Sequence, residues 1–368
     1  MPQLSQRALN RALLARQDLL ERRKGTSASE IERLIAMQAQ VPNAPYIGLW
    51  TRLEGFRPED LSDLISARRA VRMGILRNTL HLLTSRDALQ LRPLFSPLLT
   101  RTLASSPFRR GVAGIDVAAL TGEATRLMAE KPRTLPELGK LLQRRWPDRD
   151  AMSLAYAIRH LVPLVQLPPR GLWGKRGPAT WATAEQWLGR PLSSRPSVER
   201  LVLRYLKAFG PATVADMTAW SGLTGLRGVF EKLRPQLRTF QDEDGRELFD
   251  VPDGVLPDPE TSAPPRFLPE FDNLVIGHDN RTRVIAFEHR YMIGNRMFLI
   301  DGLLAGTWKI ENEHKRSRLT ISSFSPLRKR DRDSLDEEGE QLLSFAAAEV
   351  SNREIDFVVA QPRGSWQR

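Results

Sequence analysis

Apolar and polar positions alternate along this chain with two different periods, and the places where the period changes are the first guide to its organisation. In "PQLSQRALNRALLARQDLLERRKG" the residues Leu4, Ala8, Ala12, Leu19 and Leu20 fall near one side at helical spacing, which predicts a helix stopped at Gly25. "TSASE" opens a second helix, with Ser27 and Glu30 spaced as a capping box. "APYIGLWTRL" and "RPEDLSDLISA" predict two further short helices. In "RRAVRMGILRNTLHLLTSRD" the period drops to two. Val71 and Met73 alternate with arginines, Leu80 and Leu82 alternate with Thr79, His81 and Leu83, and Gly74 to Asn78 turn between the two strands.

That order, helices and then a hairpin, is the order of a winged helix-turn-helix, and it recurs. "DVAALTGEATRLMAE", "TLPELGKLLQRRW" and "DRDAMSLAYAIRHLV" predict helices, followed by "LVQLPP" and "PATWAT" as strands. A third pass runs through "SVERLVLRYLKAFG", "ATVADMTAWSG" and "TGLRGVFEKLRPQ" to "LRTF" and "ELFDVP". The proline-dense "VPDGVLPDPETSAPPR" marks a boundary. Beyond it "RFLPEFDNLVIG", "RVIAFE", "MFLIDGLLAGTWKI" and "RLTISSF" predict strands, then come a helix and a last strand, "EIDFVVA". The expected fold is α+β: three tandem winged helix-turn-helix units and a β-rich, barrel-like C-terminal domain. The units fall at 1–111, 112–190 and 191–255, and the last domain at 256–368.

A chain of 368 residues accommodates several such domains. No apolar run approaches the roughly 18–20 residues of a membrane span, and the polar N-terminus has no signal-peptide core, so a cytoplasmic location is expected. Cysteine is absent, which excludes disulfides, thiolate nucleophiles and thiolate metal sites. The net charge of +12 is unevenly placed. Residues 1–110 carry 18 Lys and Arg against 9 Asp and Glu, residues 111–195 carry 13 against 7, and residues 196–262 carry 8 against 11. A basic first half points to a polyanionic partner, most often nucleic acid, against the plainer alternative of an arginine-rich solvated surface.

Two glutamines separated by one alanine, in "ERLIAMQAQVPNAPYIGLW", are the first chemical candidate. Ile31, Leu34 and Ile35 define the buried side of the preceding helix, and Pro42 biases Val41 to an extended backbone, so the helix is expected to end near Met37 to Gln40. Inside a helix residues two apart diverge, whereas in an extended segment Gln38 and Gln40 share one side and can address one object. Such amides more often cap helix ends or bond within a core. The hairpin adds Arg77, Thr79 and His81, expected on one strand face opposite Leu80 and Leu82, a set that suits a polyanion or a bound water. Glu270 and Asp272 in "LPEFDN" read as hydrogen-bonded strand-end residues more readily than as general acids. "GLWGKRG" lacks the Walker spacing, and the histidines at 81, 160, 278, 289 and 314 form no metal-binding motif.

Taken together, "LNRALLARQ", "MQAQVPNAPYIGLW", "RNTLHLLTSRD", "GPATVADMTAWSGL", "LPEFDNLVIGH" and "DGLLAGTWK" resemble the bacterial winged-helix DNA glycosylases of the AlkZ-like family, azinomycin self-resistance type. The resemblance runs from about Leu9 to Trp308. The family's Gln–aliphatic–Gln motif matches Gln38, Ala39 and Gln40, and its Thr–aliphatic–His element matches Thr79, Leu80 and His81. A sister branch carries Asp at the last position of the first motif. The resemblance implies a monofunctional glycosylase, with Gln38 and Gln40 catalytic and with Arg69, Arg72, Arg77, Thr79 and His81 contacting substrate or DNA. Its substrate would be double-stranded DNA carrying cationic N7-alkylguanine, including bulky adducts or interstrand crosslinks, and it would act without metal or cofactor, as a monomer. A non-catalytic winged-helix DNA-binding protein, such as a transcriptional regulator, is the alternative.

Overall fold

The first helix, Gln6–Arg16, is shorter than its apolar stripe. Asp18 takes a left-handed backbone (φ +53°), and Leu19 N–H returns to Leu14 O at 2.9 Å, closing the helix in a Schellman motif. The computed structural model describes residues 1–313 and 315–360. The capping box of the second helix, Ser27–Arg33, uses Thr26 and Ser29 rather than Ser27 and Glu30. That shift leaves Glu30 free to be buried beside Arg23.

Helices Ala44–Trp50 and Pro58–Ser66 then lead to strands Ala70–Gly74 and Leu80–Thr84. Two helices that the sequence pattern did not signal, Ser85–Leu91 and Ser96–Ser105, continue the chain. Helices Val117–Glu130, Leu135–Gln143 and Ala151–Leu161 follow, each N-capped by a side chain (Asp116, Thr134, Asp150), and then strands Leu164–Gln166 and Thr180–Thr183. The third pass is Val198–Phe209, Val214–Ser221 and Leu226–Leu233, with the hairpin Arg238–Gln241 and Glu247–Asp250.

The hairpins of the first two passes belong to one sheet. Its six strands run Met37–Gln38, Leu80–Thr84, Ala70–Gly74, Leu164–Gln166, Thr180–Thr183, Arg133–Thr134. The junction is the antiparallel pairing of Arg72 with Gln166 and Met73 with Val165.

The C-terminal sheet corrects the barrel expectation. Its five strands, Asn352–Val359, Arg316–Ser323, Leu303–Glu313, Met297–Ile300 and Arg266–Leu268, form an open sheet. The helix Lys329–Ala346 carries the chain over to a parallel pairing of the last two strands, so an edge remains on each side. "RVIAFE" is not a strand: Val284 and Ile285 are buried in an irregular segment leading into a 3-10 helix, Phe287–Met292. "LPEFDNLVIG" is a strand end followed by the short helix Asn273–Ile276.

One apolar cluster joins Leu13 and Leu14 of the first helix to Met73, Tyr205, Trp220, Phe249, Leu274 and Leu299. A second joins Ile31, Met37 and Tyr46 to Phe267, Phe298 and Leu342. The segment around Gln38 therefore lies where packing from distant parts of the chain converges. Among the described residues no helix is long and apolar enough to cross a membrane.

Candidate active site

The strand bearing Gln38 exists because the helix before it stops at Arg33, earlier than expected. Ile35 takes a left-handed backbone (φ +68°), which for a β-branched residue costs about 1–3 kcal/mol. Burial holds it: Leu34, Ile35 and Ala36 are sequestered, and Asn273 Nδ2 donates to Ala36 O at 2.8 Å. The chain leaves this turn as the strand Met37–Gln38, paired antiparallel with Leu80–Thr84 so that Gln38 stands opposite His81. Met37 seats over Gly48, where a Cβ would approach its Cε to 2.6 Å.

Ala39 is fixed at both polar groups. Its N–H donates to Leu80 O at 2.8 Å, and its carbonyl accepts from Arg72 Nη2 at 2.6 Å. Because Ala39 and Leu80 bond directly, Gln38 and His81 form the intervening non-hydrogen-bonded pair, whose side chains lie close together on one face. Burial alternates along the segment: Met37 buried, Gln38 half-buried, Ala39 buried, Gln40 exposed. Gln38 is the last residue of the strand, on the face it shares with His81 and Met73, and Gln40 lies in a bend just beyond it.

The companion residues are placed differently from expectation. Arg77 is not on the strand; it sits in the 3-10 turn Leu76–Asn78 with φ +49°. From there it donates Nη2 to Gln38 Oε1 at 3.3 Å and Nη1 to Trp220 O, tying the turn to the helix Val214–Ser221. Burial, then the nearby Arg281 cation, lowers its pKa to about 10. A guanidinium has no acceptor, so the oxygen of Gln38 must be the end that faces it.

Thr79 is half-buried, and its Oγ1 donates to Leu76 O at 3.2 Å. His81, expected to contact substrate or DNA, is fully buried opposite Gln38. Its Nδ1–H donates to Thr79 O at 3.0 Å, and its Nε2 has no protein partner among the described residues. Burial first, and Arg77 second, lower its pKa to about 3, so the ring is neutral at physiological pH.

Arg72 is 2% exposed, with its guanidinium turned to the protein interior. Besides Ala39 O it bonds Gln166 Oε1, and its stem passes under Gly171, where a Cβ would meet Cδ at 2.7 Å. Burial, then Arg170, brings its pKa down to about 10. Arg69 is exposed, at the far end of the hairpin where Ala70 pairs with Thr84. Three residues, roughly 10 Å, separate that end from Met73 opposite His81. There Arg69 lines a cleft of about 540 Å³ with Arg68, Arg86 and Arg190. The structure thus gathers Gln38, Gln40, Arg77 and His81, sets Arg72 behind them, and leaves Arg69 elsewhere.

Of the two carboxylates, Asp272 is buried in a bidentate pair with Arg52 (2.6 and 2.8 Å) and caps Leu274 N–H. Glu270 accepts from Arg296 at 2.7 Å. Both are occupied structurally, as read. Asn273, which fastens Ala36 ahead of Gln38, was missed; its only signal was its place in "LPEFDN". Among the described residues no cluster of three or more His, Asp or Glu is placed to hold a metal; His314 lies outside the described residues.

The site therefore offers two neutral amides on an open edge, one of them beside a cation. In comparison with solved structures the chain is similar to the Streptomyces sahachiroi DNA glycosylase AlkZ, with a TM-score of 0.75 at 20% identity, covering 97% of this chain and 100% of that one. At that identity the likeness speaks for the fold. A comparison with curated protein sequences found no match. The model of the AlkZ-like DNA glycosylase family matches residues 31–345, from the helix that precedes the glutamines to the last helix of the chain. By that match the chain belongs to the AlkZ-like DNA glycosylases.

Proposed function

We propose that the chain hydrolyses the N-glycosidic bond of cationic N7-alkylguanine in double-stranded DNA, leaving an abasic site, with Gln38 and Gln40 as the catalytic pair. The observation that carries this reading is the pinned segment in which Ala39 is buried and held at both polar groups, while Gln38 at the end of the edge strand is half-buried and Gln40 in the following bend is exposed. Alkylation at N7 already makes the base a cationic leaving group, so departure needs no general acid. Cleavage builds positive charge on the deoxyribose. Water adds at C1′ as the C1′–N9 bond breaks, the base leaves as neutral N7-alkylguanine, and the water's proton passes to solvent. What the protein supplies is a placed water and partial negative charge beside the sugar.

The two amides are not equivalent. Gln38 Oε1 already accepts a long bond from Arg77, which keeps its orientation and leaves a lone pair for water. The Arg77 charge opposes a cationic transition state on that side, so Gln38 is assigned to the water and exposed Gln40 to the sugar. His81, neutral and buried behind Gln38, supports the strand rather than donating a proton. An open edge, not an enclosed pocket, suits a bulky adduct.

The same reading takes the recurring order of helices and hairpins as three winged helix-turn-helix units at 1–111, 112–190 and 191–255, with 256–368 as the C-terminal domain. It takes the chain as a monomer acting on DNA in the cytoplasm.

The test is single-turnover release of N7-methylguanine from duplex DNA, read by alkaline cleavage of the abasic product. Gln38→Ala and Gln40→Ala should each lower the rate about 10²- to 10³-fold at nearly unchanged DNA affinity. The double variant should lose less than the product of the two effects, because residues sharing one water are non-additive. Gln40→Asp, which keeps an acceptor oxygen, should retain part of the activity. Wild-type rates in both alanine variants would make the pair structural.

A further inference from the structure

Two aromatic side chains stand in solvent on the segment that follows the Asn273 helix: Phe287 is 63% exposed and Tyr291 is 57% exposed. Both lie on the 3-10 helix Phe287–Met292. With three residues per turn, Phe287 eclipses Arg290, Glu288 eclipses Tyr291, and His289 eclipses Met292. The third of these faces is the anchored one. The His289 ring stacks on Phe324 at 3.9 Å, and Met292 packs against the main core. The other two faces are presented outward, with the Arg290 guanidinium 3.8 Å from the Phe287 ring centroid.

Both feet of this segment rest on groups that adjoin Gln38. Before it, Val284 and Ile285 are buried, and Arg281 is near enough to Arg77 to lower its pKa. After it, Gly294 (φ +104°) leaves room for the Phe271 ring, which a Cβ would approach to 3.0 Å, and Arg296 pairs with Glu270 at 2.7 Å. Phe271 and Glu270 belong to the loop whose Asn273 holds Ala36. From 281 to 296 the segment carries four arginines against one glutamate; Arg283 is buried and Arg296 is paired with Glu270, which leaves Arg281 and Arg290 to meet a phosphate backbone. Isolated exposed apolar residues are ordinary. Two aromatics on a tip with buried feet, flanked by cations and beside a DNA-processing edge, are what a wedge requires.

We propose that Phe287 and Tyr291 insert or stack at the base step beside the lesion, opening the duplex so that C1′ can meet the glutamine pair. The occupant is duplex DNA, with bases against the rings and phosphates against Arg281 and Arg290. The inference rests on the reading of Gln38 and Gln40 as the active site. Partly unstacking a step costs a few kcal/mol, which contacts to the opened duplex must offset.

The test uses the full chain and a duplex carrying a tetrahydrofuran abasic analogue flanked by 2-aminopurine, which cannot be cleaved and reports unstacking. The wild type should raise 2-aminopurine fluorescence on saturation. Phe287→Ala/Tyr291→Ala should bind with little or no rise, and Phe287→Trp should retain it. On N7-methylguanine duplex the double variant should excise about 10- to 100-fold more slowly, losing a few kcal/mol of opening. Placing the lesion in a preformed bulge should restore most of that loss, which a merely structural role would not do; an unchanged melting temperature would confirm folding. A wild-type fluorescence rise in the double variant, no rise in the wild type, or no rescue by the bulge would overturn the wedge. Absence of N7-methylguanine release by the wild type would instead sink the substrate reading, and the fluorescence arm would still decide the wedge.

Discussion

Replacing Arg72 by methionine keeps the stem that packs under Gly171 and removes only the guanidinium. Two acceptors then lose their donor: Ala39 O, at 2.6 Å from Nη2, and Gln166 Oε1, on a side chain only 7% exposed. An orphaned buried acceptor costs about 1–3 kcal/mol, so the pair costs about 2–6 kcal/mol. Against this stands the burial of a cation with no carboxylate partner. Its pKa falls from 12.5 to about 10, equivalent to about 3 kcal/mol that the substitution recovers. The net loss of stability is therefore at most about 3 kcal/mol, and Arg72→Met should fold. Activity should suffer far more. Freed at Ala39 O, the Gln38–Gln40 segment keeps the Ala39–Leu80 bond and the long Arg77–Gln38 bond but loses its closest anchor, and a displacement of about 1 Å near the reacting centre costs on the order of 10²-fold. The assay is single-turnover base release together with DNA affinity across salt concentrations. Rate should drop while affinity and its salt slope stay at wild-type values. A wild-type rate would refute the positioning role. A slope shallower by about 0.9, the loss of one phosphate contact, would show that Arg72 reaches DNA despite its burial.

Two buried groups predict opposite pH dependence, and single variants separate them. Burial, then the Asp18 charge, raises the Glu30 pKa from 4.5 to about 7, so its stabilising protonation is fully present below pH 4.5 and lost as pH rises through 7. Glu30→Gln should gain on the wild type by up to about 3 kcal/mol between pH 5 and pH 8 in urea unfolding, and a difference independent of pH would contradict this. His81, lowered from 6.5 to about 3, contributes stability that is complete above pH 6.5 and lost as pH falls toward 3. At pH 5 that loss is about 2 kcal/mol. His81→Gln, which keeps a donor for Thr79 O, should flatten this part of the profile, and an equally steep fall in the variant would remove His81 as its cause.

The parts of the fold that the sequence pattern disclosed are those where caps and period agree. Asp116, Thr134, Asp150, Ser197 and Thr213 each open a helix that the pattern predicts, and each side chain accepts a backbone N–H of the first turn. Where local signals compete, the pattern misleads. Pro93 and Pro97 break the apolar rhythm after Leu91, yet both sit in the first turn of a helical element, where a missing N–H does no harm. "RVIAFE" has the composition of a buried strand, but short apolar runs do not reveal their conformation, and here burial of Val284 and Ile285 serves to anchor the turn that presents Phe287. The open last sheet was hidden because its closing move is a parallel pairing set by a crossover helix, a long-range choice that strand alternation does not encode.

The candidate site shows the same division at the scale of single residues. Pro42 was enough to expect the helix to give way to extended chain at Gln38, because that inference needs only local backbone preference, but the strand ends there and Gln40 lies in a bend. Arg72 and His81 were misplaced for a common reason. Each alternates with apolar neighbours and so reads as facing solvent, but that reading presumes a hairpin with one wet face. The Ala70–Gly74 strand instead pairs with Leu164–Gln166 from the next set of helices, and the Leu80–Thr84 strand is covered by Met37–Gln38. Both faces of the hairpin are covered as well, Arg72 lying with buried Leu82 on one and His81 with buried Met73 on the other, so its polar residues become internal. A buried arginine bonded to Ala39 O and a neutral histidine opposite Gln38 are the physical consequence. On the proposed reading, the surface that meets the lesion is narrower than the run of arginines suggested: Gln40, the Arg77 side of Gln38, and the outward faces of the aromatic tip. If catalysis depends on that narrow surface, substitutions behind it at Arg72 should change rate without changing affinity, whereas substitutions on the tip should change how the duplex is opened.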